Sequence, residues 1–472
     1  MLVIISDLHL TDGTSGEIID EKAFRIFRNR ISDMAYDASW RRSESASDPT
    51  ACYYQPIECI NILLLGDILD MIRSEKWNDQ PEINMPWTKD RGDAFFDMLN
   101  EIGNGVLDNN KKSFAILKDI SMGGISIPAA MHLLSEEEKI SKNIGSQASD
   151  EKFHPKVNIY YMIGNHDWFL YIDDKRVNSI RNRVIDELGL VNERDKPFPY
   201  TPFENSDLLK VQNEHDVYAL HGDVFDATNY QKDTGRDGSS VGDVVVLKLL
   251  NEIPIQIEQQ IRNFPPDKIG TITDIDTFVK ELHEIDNLRP YALAPQWISE
   301  VIAKYELDAQ FINDSIRGAL KQLIHDFTKN PLVAPHHFTV IEMNIAALLL
   351  KSHLTIEDLS SVVEFFSLNK DSFESYRQYA KTLTEEQFGK DKSFYIMGHT
   401  HYPEIVPLSS FIKEGQQTSK IYMNTGTWRA LHKKGIYDDS FISYKTMTIA
   451  GFFKGNERMG HSFEYWTGSL DI

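Results

Sequence analysis

Five short apolar runs along the 472-residue chain each end in residues of metal-ligating type. Leu2–Ser6 leads into Asp7-Leu8-His9, Ile62–Leu65 into Gly66-Asp67-Ile68-Leu69-Asp70, and Ile159–Ile163 into Gly164-Asn165-His166-Asp167. Val217–Leu220 leads into His221-Gly222-Asp223, and Phe394–Met397 into Gly398-His399-Thr400-His401. Short runs rich in β-branched and aromatic residues, bounded by Gly or Asp, have the signature of buried strands. Open α/β sheets collect their ligands at the carboxyl ends of such strands. A fold that gathers these five ends gathers carboxylates, an amide and imidazoles in one place, which is the donor set of a metal site.

Seven side chains are candidate ligands: Asp7, His9, Asp67, Asn165, His221, His399 and His401. Oxygen and imidazole donors without a thiolate suit a borderline-hard divalent ion, with Mn first and Fe, Zn or Co as alternatives. Seven donors are too many for one tetrahedral ion. A carboxylate can bridge, so two divalent ions sharing Asp67 is the economical arrangement. Such a pair forms the clamp used for in-line displacement at phosphorus.

Charge narrows the partners. Acidic residues number 71 against 49 basic, a formal charge of −22. A surface of that sign repels a polyphosphate backbone, so a small-molecule or lipid-linked phosphoester is expected rather than nucleic acid. Cys52 and Cys59 are the only cysteines and build no disulfide framework. Free thiols, and a first strand beginning at Leu2 without a basic region or apolar signal core, point to the cytoplasm. Apolar runs such as Ile345–Leu350 fall short of the roughly 20 residues of a membrane span. No feature of the sequence indicates an oligomeric state.

Periodicity divides the chain. Phe24, Ile26, Phe27, Ile31 and Met34 predict a helix over Asp20–Met34, Phe95 to Ile102 another over Asp93–Leu107, and Ile180 to Leu188 a third over Ser179–Leu188. Asp37–Gln55 reads as a polar surface excursion, and Gly123–Pro128 and Ser135–Asp150 as loops. From Gly242 to Lys390 helical spacing dominates: Ile275 to Ile285, Ile312 to Phe327 and Leu359 to Phe366 form apolar stripes, and Thr355-Ile356-Glu357-Asp358 resembles a capping box. The expected organisation is a discontinuous α/β (α+β) core, residues 1–241 and 391–472, with a helical insertion over 242–390. The insertion holds 22 acidic against 14 basic residues and is expected to act as a cap over the site rather than as a phosphate-binding arm.

The series DLH, GDILD, GNHD, HGD and GHTH resembles the calcineurin-like metallophosphoesterases in order and in spacing, over about residues 1–240 and 391–472. That resemblance implies a β-sandwich flanked by helices, with metals at the strand ends. It implies one ion held by Asp7, His9, Asp67 and His401 and the other by Asp67, Asn165, His221 and His399. It also implies hydrolysis of a phosphoester or pyrophosphate by metal-activated water. His166 is then the general acid for the leaving oxygen, and Asp70 the residue that orients it, although Asp70 also reads as a strand-end cap. Val224-Phe225-Asp226 after HGD, and Asn424-Thr425-Gly426-Thr427-Trp428 after GHTH, resemble the branch containing UDP-2,3-diacylglucosamine hydrolase, which commonly has Arg where His166 stands. The alternatives are a nuclease-type phosphodiesterase, which shares GNHD, and a non-catalytic scaffold of the same fold. Scaffolds tend to lose a ligand, and here none is missing.

The remaining residues near the motifs have plainer readings. Asp223 and Asp226 are expected as turn residues, Trp168 and Trp428 as packing, and Arg73, Arg176, Arg181 and Arg183 as solvated charges rather than phosphate ligands.

Overall fold

Alternation within the apolar runs sends successive side chains to two different cores. In β1 (Leu2–Ile5), Val3 and Ile5 join one core while Leu2 and Ile4 join the other. The same split separates Ile62 and Leu64 from Leu63 and Leu65 in β2 (Cys59–Leu65), and Ile159 and Tyr161 from Tyr160 and Met162 in β3 (Lys156–Met162). A sheet buried on both faces needs a layer on each side. The computed structural model describes residues 1–16, 18–43, 52–78, 80–133, 146–263, 275–288, 372–413, 415–437 and 440–471, with isolated positions between 297 and 333.

On one side the layer is a second sheet. It comprises β4 (Val217–Ala219), β5 (Phe394–Met397), β6 (Pro403–Lys413) and β7 (Gln416–Thr425), in the order β4-β5-β7-β6. Tyr395, Met397, Tyr422 and Met423 pack against Leu2, Ile4, Leu63 and Leu65, so the two sheets form a sandwich. The first sheet runs β8-β9-β1-β2-β3, with β8 (Ala430–Lys434), β9 (Phe441–Phe452) and β10 (Phe463–Asp471), the last paired to β9. β1, β2 and β3 are mutually parallel, as are β4, β5 and β7.

On the other side the layer is helical. α1 (Glu21–Ala38) starts where the Asp20 side chain accepts from Lys22 N at 2.9 Å, and it buries Phe24, Phe27, Ile31 and Met34. Each such side chain removed from water stabilises the fold by about 1.5–3 kcal/mol. α2 (Asp93–Asn109), α3 (Lys111–Asp119) and α4 (Asn178–Leu188) add Phe95, Leu99, Phe114, Leu117 and Val184 to the same core. α5 (Ser206–Glu214) covers the sandwich core with Leu208 and Val211. The result is a mixed, layered α+β architecture. No helix among the described residues is long and apolar enough to cross a membrane.

The three helices expected before residue 190 fall where the periodicity places them. The expected loops are partly paired: Trp40–Arg42 with Cys52–Tyr54, Ile127–Pro128 with Lys152–Phe153, and Met131–Leu133 with Ser146–Ala148. The described α-helices at or within 242–390 include α6 (Val241–Val245), α7 (Glu252–Arg262), α8 (Ile275–His283) and α9 (Ser372–Leu383). Both ends of this segment enter the cores, through Val244 and Leu247 at one end and Tyr376, Ala380 and Leu383 at the other. The stripe from Leu359 to Phe366 and the capping box at Thr355 lie outside the described residues, as do Ile312, Ile316 and Leu320 of the middle stripe, of which Leu323 and Phe327 are described and buried.

Candidate metal centre

Parallel register brings the motif residues to one edge. Ile5 pairs with Leu64, and beyond the strands Asp7 N donates to Gly66 O (3.1 Å) and His9 N to Asp67 O (2.9 Å). Leu65 pairs with Met162, which sets Asn165 beside Asp67. In the second sheet Ala219 pairs with Ile396, and Gly398 N donates to His221 O at 2.9 Å. Asp7, His9, Asp67, His399 and His401 all leave their strands with positive φ, between 47° and 67°. Left-handed backbone at non-glycine residues costs about 1–2 kcal/mol each and persists only where the surroundings impose it. Here it recurs at the ends of strands in both sheets, where the motif loops begin. Gly164 is required by close approach: a Cβ there would stand 2.6 Å from His221 Nε2.

The side chains converge in overlapping groups, each with its ligating atoms within 4.8 Å of one another: Asp7, His9 and His401; Asp67, His221 and His399; and His9, Asp67 and His166. Asn165 joins the second group through His399, whose Nδ1 lies 2.8 Å from Asn165 Oδ1. All seven expected ligands thus surround one spot, and His166 borders it. Its side chain, 15 % exposed, is more open than those of His9 and His221 at 1 % each.

Hydrogen bonds assign the imidazole tautomers. His9 Nδ1–H donates to Asp70 Oδ2 (2.8 Å), leaving Nε2 to face His401 Nε2 at 2.9 Å. His221 Nδ1–H donates to Leu65 O (2.8 Å), leaving Nε2 to face Asp67 Oδ2 at 3.2 Å. His399 Nε2–H donates to Asp226 Oδ2 (3.2 Å), leaving Nδ1 toward Asn165 Oδ1. Electron-pair donors pointed at each other repel unless a cation or a proton lies between them. Two ligands at right angles about an ion, each about 2.1 Å from it, stand about 3 Å apart. The observed separations match that edge, so the donor set fits divalent ions.

Electrostatics leads to the same conclusion. Asp7, Asp67, Asp70 and Asp167 are all buried within this cluster. Burial pushes the Asp7 carboxyl up, only partly opposed by His221, and the neighbouring Asp67 charge adds to the rise. Burial would also raise Asp67, but His221 and His166 outweigh it and hold that carboxyl below the ordinary range. Burial opposes a charged His221, yet Asp67 and Asp7 push the imidazole well above its usual value. The pocket is built to stabilise positive charge.

Asp70 uses both oxygens. Oδ1 accepts from His166 Nδ1–H (2.8 Å) and from Arg73 N (3.1 Å), and Oδ2 accepts from His9 Nδ1–H. It is therefore at once a turn cap and the residue that holds two histidines. Burial would raise it, but His166 and His9 draw it well below the carboxylate range. Asp167 ties the loops together: Gly164 N donates to it at 2.6 Å, Ile68 N at 3.0 Å and Tyr161 Oη–H at 2.5 Å. Burial, then the Asp67 charge, lifts its carboxyl to about 7. Thr427 Oγ–H donates to Asp7 O (2.6 Å) and Asn424 Nδ2–H to Gly398 O (2.7 Å), so the turn after β7 braces two of the ligand loops.

Several plainer expectations change. Asp226 is a turn residue, accepting from Thr228 N at 2.8 Å, but its other oxygen meets His399. Asp223 lies buried in an ion pair with Arg236 at 2.5 Å. Arg73 and Arg181 are buried rather than solvated, Arg73 donating to Asn251 Oδ1 (2.5 Å) and Arg181 to the carbonyls of Leu170, Ile172 and Asp174. Arg176 and Arg183 do carry exposed surface pairs, with Asp93 and Asp108. Trp428 packs on Phe24 and Phe27, and Trp168 on Phe169. Two residues near the site had no signal in the sequence: Arg429, whose Nη1 is 3.7 Å from Asp70, and Tyr376, whose ring centroid lies 5.9 Å from that of His399. No protein-family model matches the chain, and no curated protein matches its sequence.

Proposed function

We propose that the protein is a hydrolase of phosphoester or pyrophosphate bonds that works with two divalent metal ions. The observation that carries this reading is the convergence of seven donors from five strand ends into groups that meet at Asp67. Asp7, His9, Asp67 and His401 would hold one ion, and Asp67, Asn165, His221 and His399 the other. When bound, the pair supplies Lewis-acid stabilisation of phosphoryl oxygens and lowers the pKa of water.

The chain's own residues do the rest. Asp70, kept ionised, accepts the Nδ1 proton of His166 and favours the doubly protonated imidazole. His166 then gives its other proton, on Nε2, to the departing oxygen, its side chain being more open than those of His9 and His221. His166 N donates to Asp67 Oδ1 at 2.8 Å, which ties the backbone of the proton donor to the shared carboxylate. Oxygen and imidazole donors without a thiolate suit Mn as the ion, and the acidic surface suits a small or lipid-linked phosphoester rather than nucleic acid as the substrate.

The test is an assay of the purified chain, metal-stripped and reloaded with Mn, on a phosphomonoester, a phosphodiester and a nucleoside diphosphate sugar. Metal-dependent release of product from at least one of them is expected, with two ions per chain by elemental analysis. A chain that takes up two ions and hydrolyses none of the three is a scaffold.

A further inference from the structure

Asn165 and His399 present an ambiguity that Asp7 and Asp67 do not. An imidazole ligates only through an unprotonated nitrogen, and a carboxamide ligates a hard ion only through oxygen. Each group has two forms, and one of the two cannot bind.

The structure closes these two side chains into a circuit with two others. Asp226 Oδ2 accepts from His399 Nε2–H at 3.2 Å and from Asn229 Nδ2–H at 2.8 Å. Asn229 Oδ1 accepts from Asn165 Nδ2–H at 3.4 Å, and Asn165 Oδ1 faces His399 Nδ1 at 2.8 Å. We propose that Asp226 and Asn229 are positioning residues for the second ion, setting the tautomer of His399 and the amide orientation of Asn165. The inference rests on the two-ion reading above and extends it to residues outside the ligand set.

The logic starts from one carboxylate. An ionised Asp226 can only accept, so the proton of a neutral His399 must sit on Nε2, and Nδ1 is left for the ion. The same oxygen draws the NH2 end of Asn229, which turns Asn229 Oδ1 toward Asn165. That oxygen draws the NH2 end of Asn165, which leaves Asn165 Oδ1 beside His399 Nδ1. One acceptor thus resolves three ambiguous groups in sequence. Outer partners of this kind are worth about 10–100-fold in metal affinity.

Asp226 is itself held in place. Its other oxygen accepts from Thr228 N at 2.8 Å, and its carbonyl accepts from Asn229 N (3.0 Å) and Tyr230 N (2.8 Å). Gly242 N donates to Thr228 O at 2.7 Å, so the start of the 242–390 segment is pinned to this turn. A turn cap needs one carboxylate oxygen, and the second is free to serve His399 and Asn229.

The experiment titrates the metal-stripped full chain with Mn²⁺ by calorimetry, records the electron paramagnetic resonance of the loaded protein, and compares wild type with Asp226→Ala, Asp226→Asn and Asn229→Ala. Wild type is expected to bind two ions with the spectrum of a coupled pair. Asp226→Ala should bind the first ion normally and the second about 10–100-fold more weakly, with the coupled signal replaced by that of an isolated ion. Asp226→Asn, which keeps an acceptor oxygen, should recover most of the second affinity, and a purely structural role for the turn would not produce that recovery. Asn229→Ala, which leaves the His399 contact intact, should weaken the second ion less than Asp226→Ala, and it decides the question if Asp226→Ala fails to fold. Two ions bound with wild-type affinity and a coupled spectrum in both alanine variants would overturn the inference while leaving the proposed function standing. A wild type that takes no second ion overturns both.

Discussion

The two halves of the centre are held by different means. In the group of Asp7, His9 and His401, His9 is held by Asp70, which also holds His166. Asn165, His221 and His399 rely instead on a backbone carbonyl, Leu65 O, and on the Asp226–Asn229 turn. The first half therefore shares its support with the proposed proton donor, and the second does not. Damage to the first half should disturb metal binding and proton transfer together, whereas damage to the second should disturb metal binding alone.

The largest effect belongs to the residue common to both halves. Asp67→Asn removes a charge that His221 and His166 N both address, and it should abolish turnover and release both ions; full metal content with normal turnover would end the two-ion reading. Next, His166→Ala should keep both ions and slow hydrolysis by about 10²–10⁴-fold. The loss should be greatest for alkyl leaving groups and least for activated aryl ones, and equal losses would remove His166 from the acid role. Asp70→Asn should weaken one ion by about 10–100-fold and also flatten the leaving-group dependence, a double effect that Asp226→Ala should lack.

The smallest effect is on stability. In the metal-free chain the Asp167 carboxyl sits at about 7, above the ordinary carboxylate value. The folded state therefore binds a proton that the unfolded state releases, and folding is favoured as pH falls from above 7 toward about 4. Chelated wild type should gain melting temperature relative to Asp167→Asn between pH 8 and pH 5. An unchanged difference would show that Asp167 is ionised throughout.

Strand ends were legible because they are local. Leu2–Ser6 or Phe394–Met397 announces a buried strand without reference to any other segment, and parallel register then carries the ligands to one edge. Helices α1, α2 and α4 were legible for the same reason, through stripes such as Phe24, Phe27 and Ile31. What escaped was everything set by contact between distant segments. Asp226 and Asn229 look like any Asx turn, because nothing in residues 226–229 points to Asn165 or His399. Arg181 reads as solvated on a charged helix, yet three carbonyls from the neighbouring loop bury it. The left-handed backbone at Asp7, His9 and Asp67 was equally invisible, since Asp and His adopt it more often than other non-glycine residues but still only in a small minority of cases.

The pairing of His9 with His401 spans 392 positions. A ribosome adding about 5–20 residues per second makes Asp7 and His9 roughly 20–80 seconds before His401 exists. Throughout that interval the emerging chain carries Asp7 and His9 without the histidine they meet in the fold. A site that needs both His9 and His401 can close only after residue 401 has been delivered, with 71 residues of the chain still to be added.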